Sequence, residues 1–130
     1  MSDHPSRPLI LIVDDNPLIR LDLSGSLAEA GYRTIEAGNA REAFARLAEQ
    51  RPALIVTDVY MEPGDGLELI RSVRATHPGI RIIAMSGHDR RYEVLDRAEQ
   101  SGAQGALAKP IQRFELLDLV ARLLSAGVAR

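Results

Sequence analysis

Three aspartates, a serine and a lysine share a setting that suits charge chemistry. Asp14 and Asp15 follow the apolar run Leu9-Ile10-Leu11-Ile12-Val13. Asp58 follows Ala53-Leu54-Ile55-Val56-Thr57, and Ser86 follows Ile80-Arg81-Ile82-Ile83-Ala84-Met85. Lys109 and Pro110 follow Gly105-Ala106-Leu107-Ala108. Carboxylates gathered in one place repel, by about 3 kcal/mol for a pair ~5 Å apart at an effective dielectric near 20. Such a cluster calls for a cation. An all-oxygen donor set without His or Cys suits a hard ion, Mg2+ before Ca2+. With so few protein ligands Mg2+ fits again, because it keeps several waters and often shares a phosphate. The plainer alternative is that Asp14-Asp15 caps the next helix. It accounts for one of the pair and leaves Asp58 unexplained. Of 16 basic residues, 15 are arginine and Lys109 is the one lysine. A compact ammonium on a flexible stem can reach a phosphoryl oxygen or a carboxylate in a pocket that a guanidinium would overfill. The Ser86 hydroxyl can donate one hydrogen bond to a phosphoryl oxygen. Taken singly, a lysine by chance or a serine opening a loop is an adequate account. The shared placement of all five is not explained that way.

Such placement requires elements that end together. The runs before Asp14, Asp58 and Ser86 are nearly continuous Ile, Val and Leu, as in strands buried on both faces of a parallel sheet. Tyr32-Arg33-Thr34-Ile35 and Gly105–Ala108 are weaker and suit sheet edges. Helical patterns alternate with the runs. Asn16-Pro17 reads as a cap with proline at the first helical position, followed by Ile19, Leu23, Leu27 and Ala30 and a stop at Gly31. Asn39 with Glu42 reads as a capping-box variant before Ala43, Phe44 and Leu47. Leu67, Ile70, Val73 and Arg74 form a third helix ending before Pro78. Asp89 to Ser101, with the thin stripe Tyr92, Leu95 and Ala98, forms a fourth that stops at Gly102. Phe114, Leu117, Val120, Ala121 and Leu124 mark a fifth. Strand then helix, five times over, predicts an α/β doubly wound (βα)5 sandwich with a five-stranded parallel sheet. The order 2-1-3-4-5 puts the weak strands at the edges. Ligands of such sheets bind beyond the carboxyl ends of the strands, where all five residues fall.

Length and composition agree. The 130 residues make one domain, read as a polar tail over 1–8 and a domain over 9–126. The formal net charge of −2 offers no basic surplus for nucleic acid, and the absence of cysteine excludes disulfides, thiolate metal sites and thiol nucleophiles. No apolar run approaches the ~18 residues of a membrane span, and the polar start at Met1 is not a signal peptide. The expectation is a cytoplasmic chain that starts at Met1.

The motifs together resemble the receiver domain of two-component response regulators, of the CheY-like kind. The resemblance rests on Val13-Asp14-Asp15-Asn16, on Thr57-Asp58-Val59-Tyr60-Met61 with Gly66, on Met85-Ser86-Gly87, and on Gly102-Ala103 leading to Ala108-Lys109-Pro110. It implies that Asp58 is the phosphoacceptor, taking a phosphoryl group from a phosphohistidine on a sensor histidine kinase or a histidine phosphotransfer protein. Asp14, Asp15, Asp58 and the backbone carbonyl of Tyr60 would hold Mg2+. Ser86 would follow the phosphoryl group, and Lys109 would bind it, pairing with Asp58 when it is absent. The Lys109–Pro110 bond is typically cis in this family. Tyr60 and His88 occupy positions that tune the phosphoryl lifetime, and their bulk predicts slow autodephosphorylation.

Two departures bear on output. Glu62 stands where the family usually has proline directly after the methionine, with Gly66 at its usual distance. Ala106 stands where the family usually carries an aromatic switch. The leading expectation is a stand-alone phosphoacceptor that catalyses only its own phosphotransfer and dephosphorylation. It would signal through helix 4, strand 5 and helix 5, as a monomer or a homodimer. The alternative is a phosphorylation-independent interaction module on the same fold. An aspartate-nucleophile phosphatase is disfavoured, because Tyr60 stands where its second aspartate would be.

Overall fold

The computed structural model describes residues 7–59, 66–87 and 91–128. Strands and helices alternate as β1 (Leu9–Val13), α1 (Pro17–Glu29), β2 (Arg33–Ala37), α2 (Ala40–Glu49) and β3 (Leu54–Asp58). They continue as α3 (Gly66–Thr76), β4 (Arg81–Ser86), α4 (Arg91–Ser101), β5 (Gly105–Ala108) and α5 (Arg113–Val128). The strands form one parallel sheet in the order β2-β1-β3-β4-β5. This is the architecture and strand order expected from the sequence.

The pleat divides the apolar runs between two cores. Leu11, Val13, Ile55, Ile82 and Ala84 pack with Ala43 of α2, Ile70 and Val73 of α3 and Ala98 of α4. Ile10, Ile12, Leu54, Val56, Ile83, Met85 and Leu107 pack on the other face with Leu23 and Leu27 of α1 and Leu116 and Val120 of α5. Each fully buried Ile or Leu contributes roughly 2 kcal/mol of transfer free energy. Because β1 and β3 are covered on both sides, every residue in them can be apolar except where the strand leaves the core, and that is where the aspartates begin.

Local signals start and stop the helices as their chemistry requires. Asn16 accepts from the Leu18 amide, and Pro17 occupies the first helical position. Asn39 accepts from the Glu42 amide at 2.9 Å, while the Glu42 carboxylate takes the Gly38 amide at 2.7 Å, one residue earlier than a strict capping box would place it. Gly31 and Gly102 follow α1 and α4 with φ of 101° and 127°, a region open to glycine at no steric cost.

Four expected core positions differ, one of them Ala121 of α5, which is exposed. Phe114 is 80% exposed and Phe44 42% exposed. In α5 the buried stripe runs through Leu116 and Val120 instead. The segment Phe-Glu-Leu-Leu-Asp-Leu-Val-Ala-Arg-Leu-Leu offers apolar residues in more than one helical phase, so packing on α1 and β5 selects the phase rather than periodicity. Ala30, expected to close the α1 stripe, caps the helix at the surface.

Gly66 positions the start of α3. Its amide donates to the Val59 carbonyl at 3.0 Å. A Cβ there would fall 2.2 Å from the Asp58 carbonyl oxygen and 2.7 Å from the Val59 Cα. Both are backbone atoms, so a side chain must push α3 off the end of β3. Gly66→Ala is expected to destabilise the protein by about 3 kcal/mol, the upper end of overpacking costs, read as a lowered urea midpoint. An unchanged midpoint would contradict this close approach.

Candidate functional site

The sheet delivers the chemically active residues to one rim. At the end of β1, the Asp14 amide bonds the Ala37 carbonyl of β2, and the fully buried Asp14 carboxylate accepts from the Asn16 amide at 2.9 Å. Asn16, not either aspartate, caps α1, so the capping alternative for Asp14-Asp15 does not hold. Asp15 is exposed beside it. At the end of β3, Asp58 is buried, and the Thr57 hydroxyl donates to its carbonyl at 2.9 Å. The next amide, of Val59, bonds the Met85 carbonyl of β4. Asp14, Asp15 and Asp58 each place one carboxylate oxygen within 4.8 Å of the others.

Lys109 arrives from β5. Its Nζ donates to Asp14 Oδ2 at 2.8 Å and to Asp58 Oδ2 at 3.1 Å. The bond between Lys109 and Pro110 is cis, and the Lys109 amide donates to the Ser86 carbonyl at 2.8 Å, joining the ends of β4 and β5. Burial works to lower the Lys109 pKa. The hydrogen bond to Asp14 and the charges of Asp58 and Asp14 outweigh it and hold the ammonium above its ordinary value. The Ser86 hydroxyl is buried at the end of β4 and makes a long 3.4 Å contact to the Gly87 carbonyl. That contact is weak enough to give up for a better acceptor.

Among the described residues, three carboxylates face one ammonium at this rim. The donors are all oxygen, and the described members carry no competing His or Cys. A divalent hard cation fits this set, and Asp14, Asp15 and Asp58 are the side chains that would hold it. Tyr60, Glu62 and His88 lie outside the described residues, so the Tyr60 carbonyl ligand and the Tyr60 and His88 lifetime roles have no geometry here. Ala106 pairs with Ala84 across β4 and β5, and its methyl group has none of the reach of an aromatic ring.

Leu18 and Leu21 on α1, outside the stripe Ile19, Leu23 and Leu27, are 73% and 67% exposed. Sequence reasoning missed that Arg20 of α1 reaches both the Asp14 carbonyl and Glu36. Sixteen residues separate Arg20 from Glu36, and no local spacing signals such a pair. A cavity of about 400 Å3 lies at the opposite rim, beside Leu9, Tyr32 and Arg33, and includes none of the five residues. No described helix is long and apolar enough to cross a membrane.

Comparison with known proteins agrees with this geometry. The family model of the response regulator receiver domain matches residues 10–121. Sporulation initiation phosphotransferase F of Bacillus subtilis (strain 168) is 34% identical over 118 residues, covering 88% of this chain and 92% of that protein. The DNA-binding transcriptional regulator NtrC of Azospirillum brasilense is 36% identical over 122 residues, covering 94% of this chain. The chain spans about a quarter of the length of that regulator. Among solved structures, the receiver domain of NtrX from Brucella abortus superposes with a TM-score of 0.85 at 30% identity, covering 89% of this chain and 98% of that one. The CheY-like response regulator receiver domain protein from Methanospirillum hungatei JF-1 gives a TM-score of 0.89 at 26% identity, covering 95% and 98%. With the acidic rim, the strand order and a family match over most of the chain in agreement, the protein belongs to the response regulator receiver domains of two-component systems.

Proposed function

We propose that Asp58 is a phosphoacceptor, served by Mg2+ held on Asp14, Asp15 and Asp58 and by Lys109 and Ser86. The observation that carries this reading is the Lys109 ammonium resting on Asp14 and Asp58 within a cluster of three carboxylates. Receiver domains of this kind take a phosphoryl group from histidine kinases or phosphotransfer proteins. Here an Asp58 carboxylate oxygen attacks phosphorus, an O–P bond forms, and the P–N bond to the donor imidazole breaks. The imidazole leaves with the electron pair and takes up a proton. Bound Mg2+ supplies neutralisation of the charge on the phosphoryl oxygens. Lys109 then exchanges its carboxylate partner for a phosphoryl oxygen, and the Ser86 hydroxyl donates to another.

The donor approaches past apolar side chains. Leu18 and Leu21 project from α1, which begins two residues after Asp15. Phe114 projects from the start of α5, shortly after Lys109. This collar suits the helical surface of a sensor histidine kinase or histidine phosphotransfer protein. The output surface is α4, β5 and α5.

Ala106 supports one other reading, an interaction module that works without phosphorylation. The two separate cleanly. Incubation with acetyl phosphate and Mg2+ is expected to add one phosphoryl mass to the intact protein, and EDTA to prevent it. Absence of the added mass, with Mg2+ binding also absent, would favour the phosphorylation-independent module.

A further inference from the structure

We infer that Arg20 and Glu36 are positioning residues for the cation site, an inference that rests on the phosphoacceptor reading above. Asp14 and Asp15 lie where β1 turns into α1. On its inner side this turn is fastened by the Asn16 amide on Asp14 Oδ1. On its outer side Arg20 Nη1 donates to the Asp14 carbonyl at 2.6 Å, and Nε of the same guanidinium donates to Glu36 Oε1 at 3.1 Å. Glu36 sits on the edge strand β2, and its own carbonyl accepts from Arg46 Nε of α2 at 2.9 Å. A strap therefore runs from α2 through β2 and α1 to the backbone between the two aspartates.

The strap acts through the peptide plane. The Asp14 carbonyl and the Asp15 amide belong to one rigid unit, so fixing the oxygen fixes the direction in which the chain enters Asp15. Asp15 is exposed, so its aim depends on its backbone more than on packing. The planar guanidinium suits the task because it spans two acceptors at once, which one ammonium cannot do with the same geometry. As an ion pair alone, Arg20 and Glu36 would contribute little, since both side chains are partly solvated. The bond to the carbonyl is what links the pair to the site.

Removing Arg20 alone would also remove a positive charge near the carboxylates and so favour a cation. The test therefore uses the charge-balanced double variant Arg20→Met with Glu36→Gln, beside Arg20→Lys and the wild type, in the full chain. Mg2+ affinity is measured by calorimetry, phosphoryl uptake from acetyl phosphate against Mg2+ concentration, and melting of the metal-free protein. The double variant is expected to bind Mg2+ about tenfold more weakly, in the range found for residues that orient metal ligands. Its half-saturating Mg2+ should rise by the same factor, with the rate at saturating Mg2+ nearly unchanged. Arg20→Lys should recover part of the affinity. Wild-type affinity in the double variant, with only a lowered melting temperature, would overturn the inference and leave the phosphoacceptor reading standing. Failure of the wild type to bind Mg2+ would overturn both.

Discussion

Asp58→Asn is expected to abolish phosphoryl uptake and, at the same time, to make the metal-free protein more stable. The first effect follows from the loss of the nucleophilic carboxylate. The second follows from charge geometry. Asp58 has a carboxylate oxygen within 4.8 Å of those of both Asp14 and Asp15, and its Oδ2 lies 3.1 Å from the Lys109 ammonium. At an effective dielectric near 20, each repulsion is about 3.5 kcal/mol and the attraction about 5 kcal/mol, so among these four described groups the charge on Asp58 is a net liability of order 1–2 kcal/mol. Burial of Asp58 adds to it. Asparagine has nearly the same shape and no charge, and it leaves Lys109 its bond to Asp14. A rise in melting temperature of about 3 °C in EDTA is expected. A fall of several degrees would show that the Lys109 pair outweighs the repulsion.

Lys109→Met is expected to act in the opposite direction. It leaves Asp14, fully buried, and Asp58 without their shared cation. Breaking a buried pair by removing one partner costs about 3 kcal/mol, most of it for the charge left behind. Mg2+ should therefore stabilise the Lys109→Met protein more than the wild type, because the cation replaces what the lysine supplied. The pH dependence has a definite sign. The Lys109 pKa is raised in the folded protein above its ordinary 10.5, so its contribution is fully present below that value and is lost as pH climbs beyond it. The stability difference between wild type and Lys109→Met, from urea denaturation in EDTA, should hold constant from pH 7 to pH 9 and shrink above 10.5. A difference that changes between pH 7 and pH 9 would contradict this assignment.

The sheet was legible because three of its strands are buried on both faces and read as nearly continuous apolar runs. Placing polar residues at the run ends then located Asp14, Asp58, Ser86 and Lys109 without any knowledge of side-chain direction. The cap at Asn16 and the stops at Gly31 and Gly102 were equally local and equally legible. The phase of α5 was not, because its apolar residues satisfy several helical phases and only packing on α1 and β5 chooses Leu116 over Phe114. The stripe Ile19, Leu23 and Leu27 already left Leu18 and Leu21 off the buried face of α1, and their exposure follows from it. The Arg20 strap was invisible because it is made by a fold-level meeting of α1 and β2, and one of its two acceptors is a backbone carbonyl. Lys109 shows the limit from the other side. Its rarity in the chain drew notice, but that one ammonium reaches two aspartates is a fact of the β5 end alone.

The central claim is that the phosphoryl group is carried by one particular carboxylate. An acyl phosphate is reduced by borohydride to an alcohol, which converts a phosphorylated aspartate to homoserine. The protein should be treated with acetyl phosphate and Mg2+, reduced, digested and sequenced by tandem mass spectrometry. Homoserine at residue 58, and at neither residue 14 nor residue 15, is the result this account predicts. Homoserine at Asp14 or Asp15, or its absence from residue 58 in protein that had gained one phosphoryl mass, would contradict it.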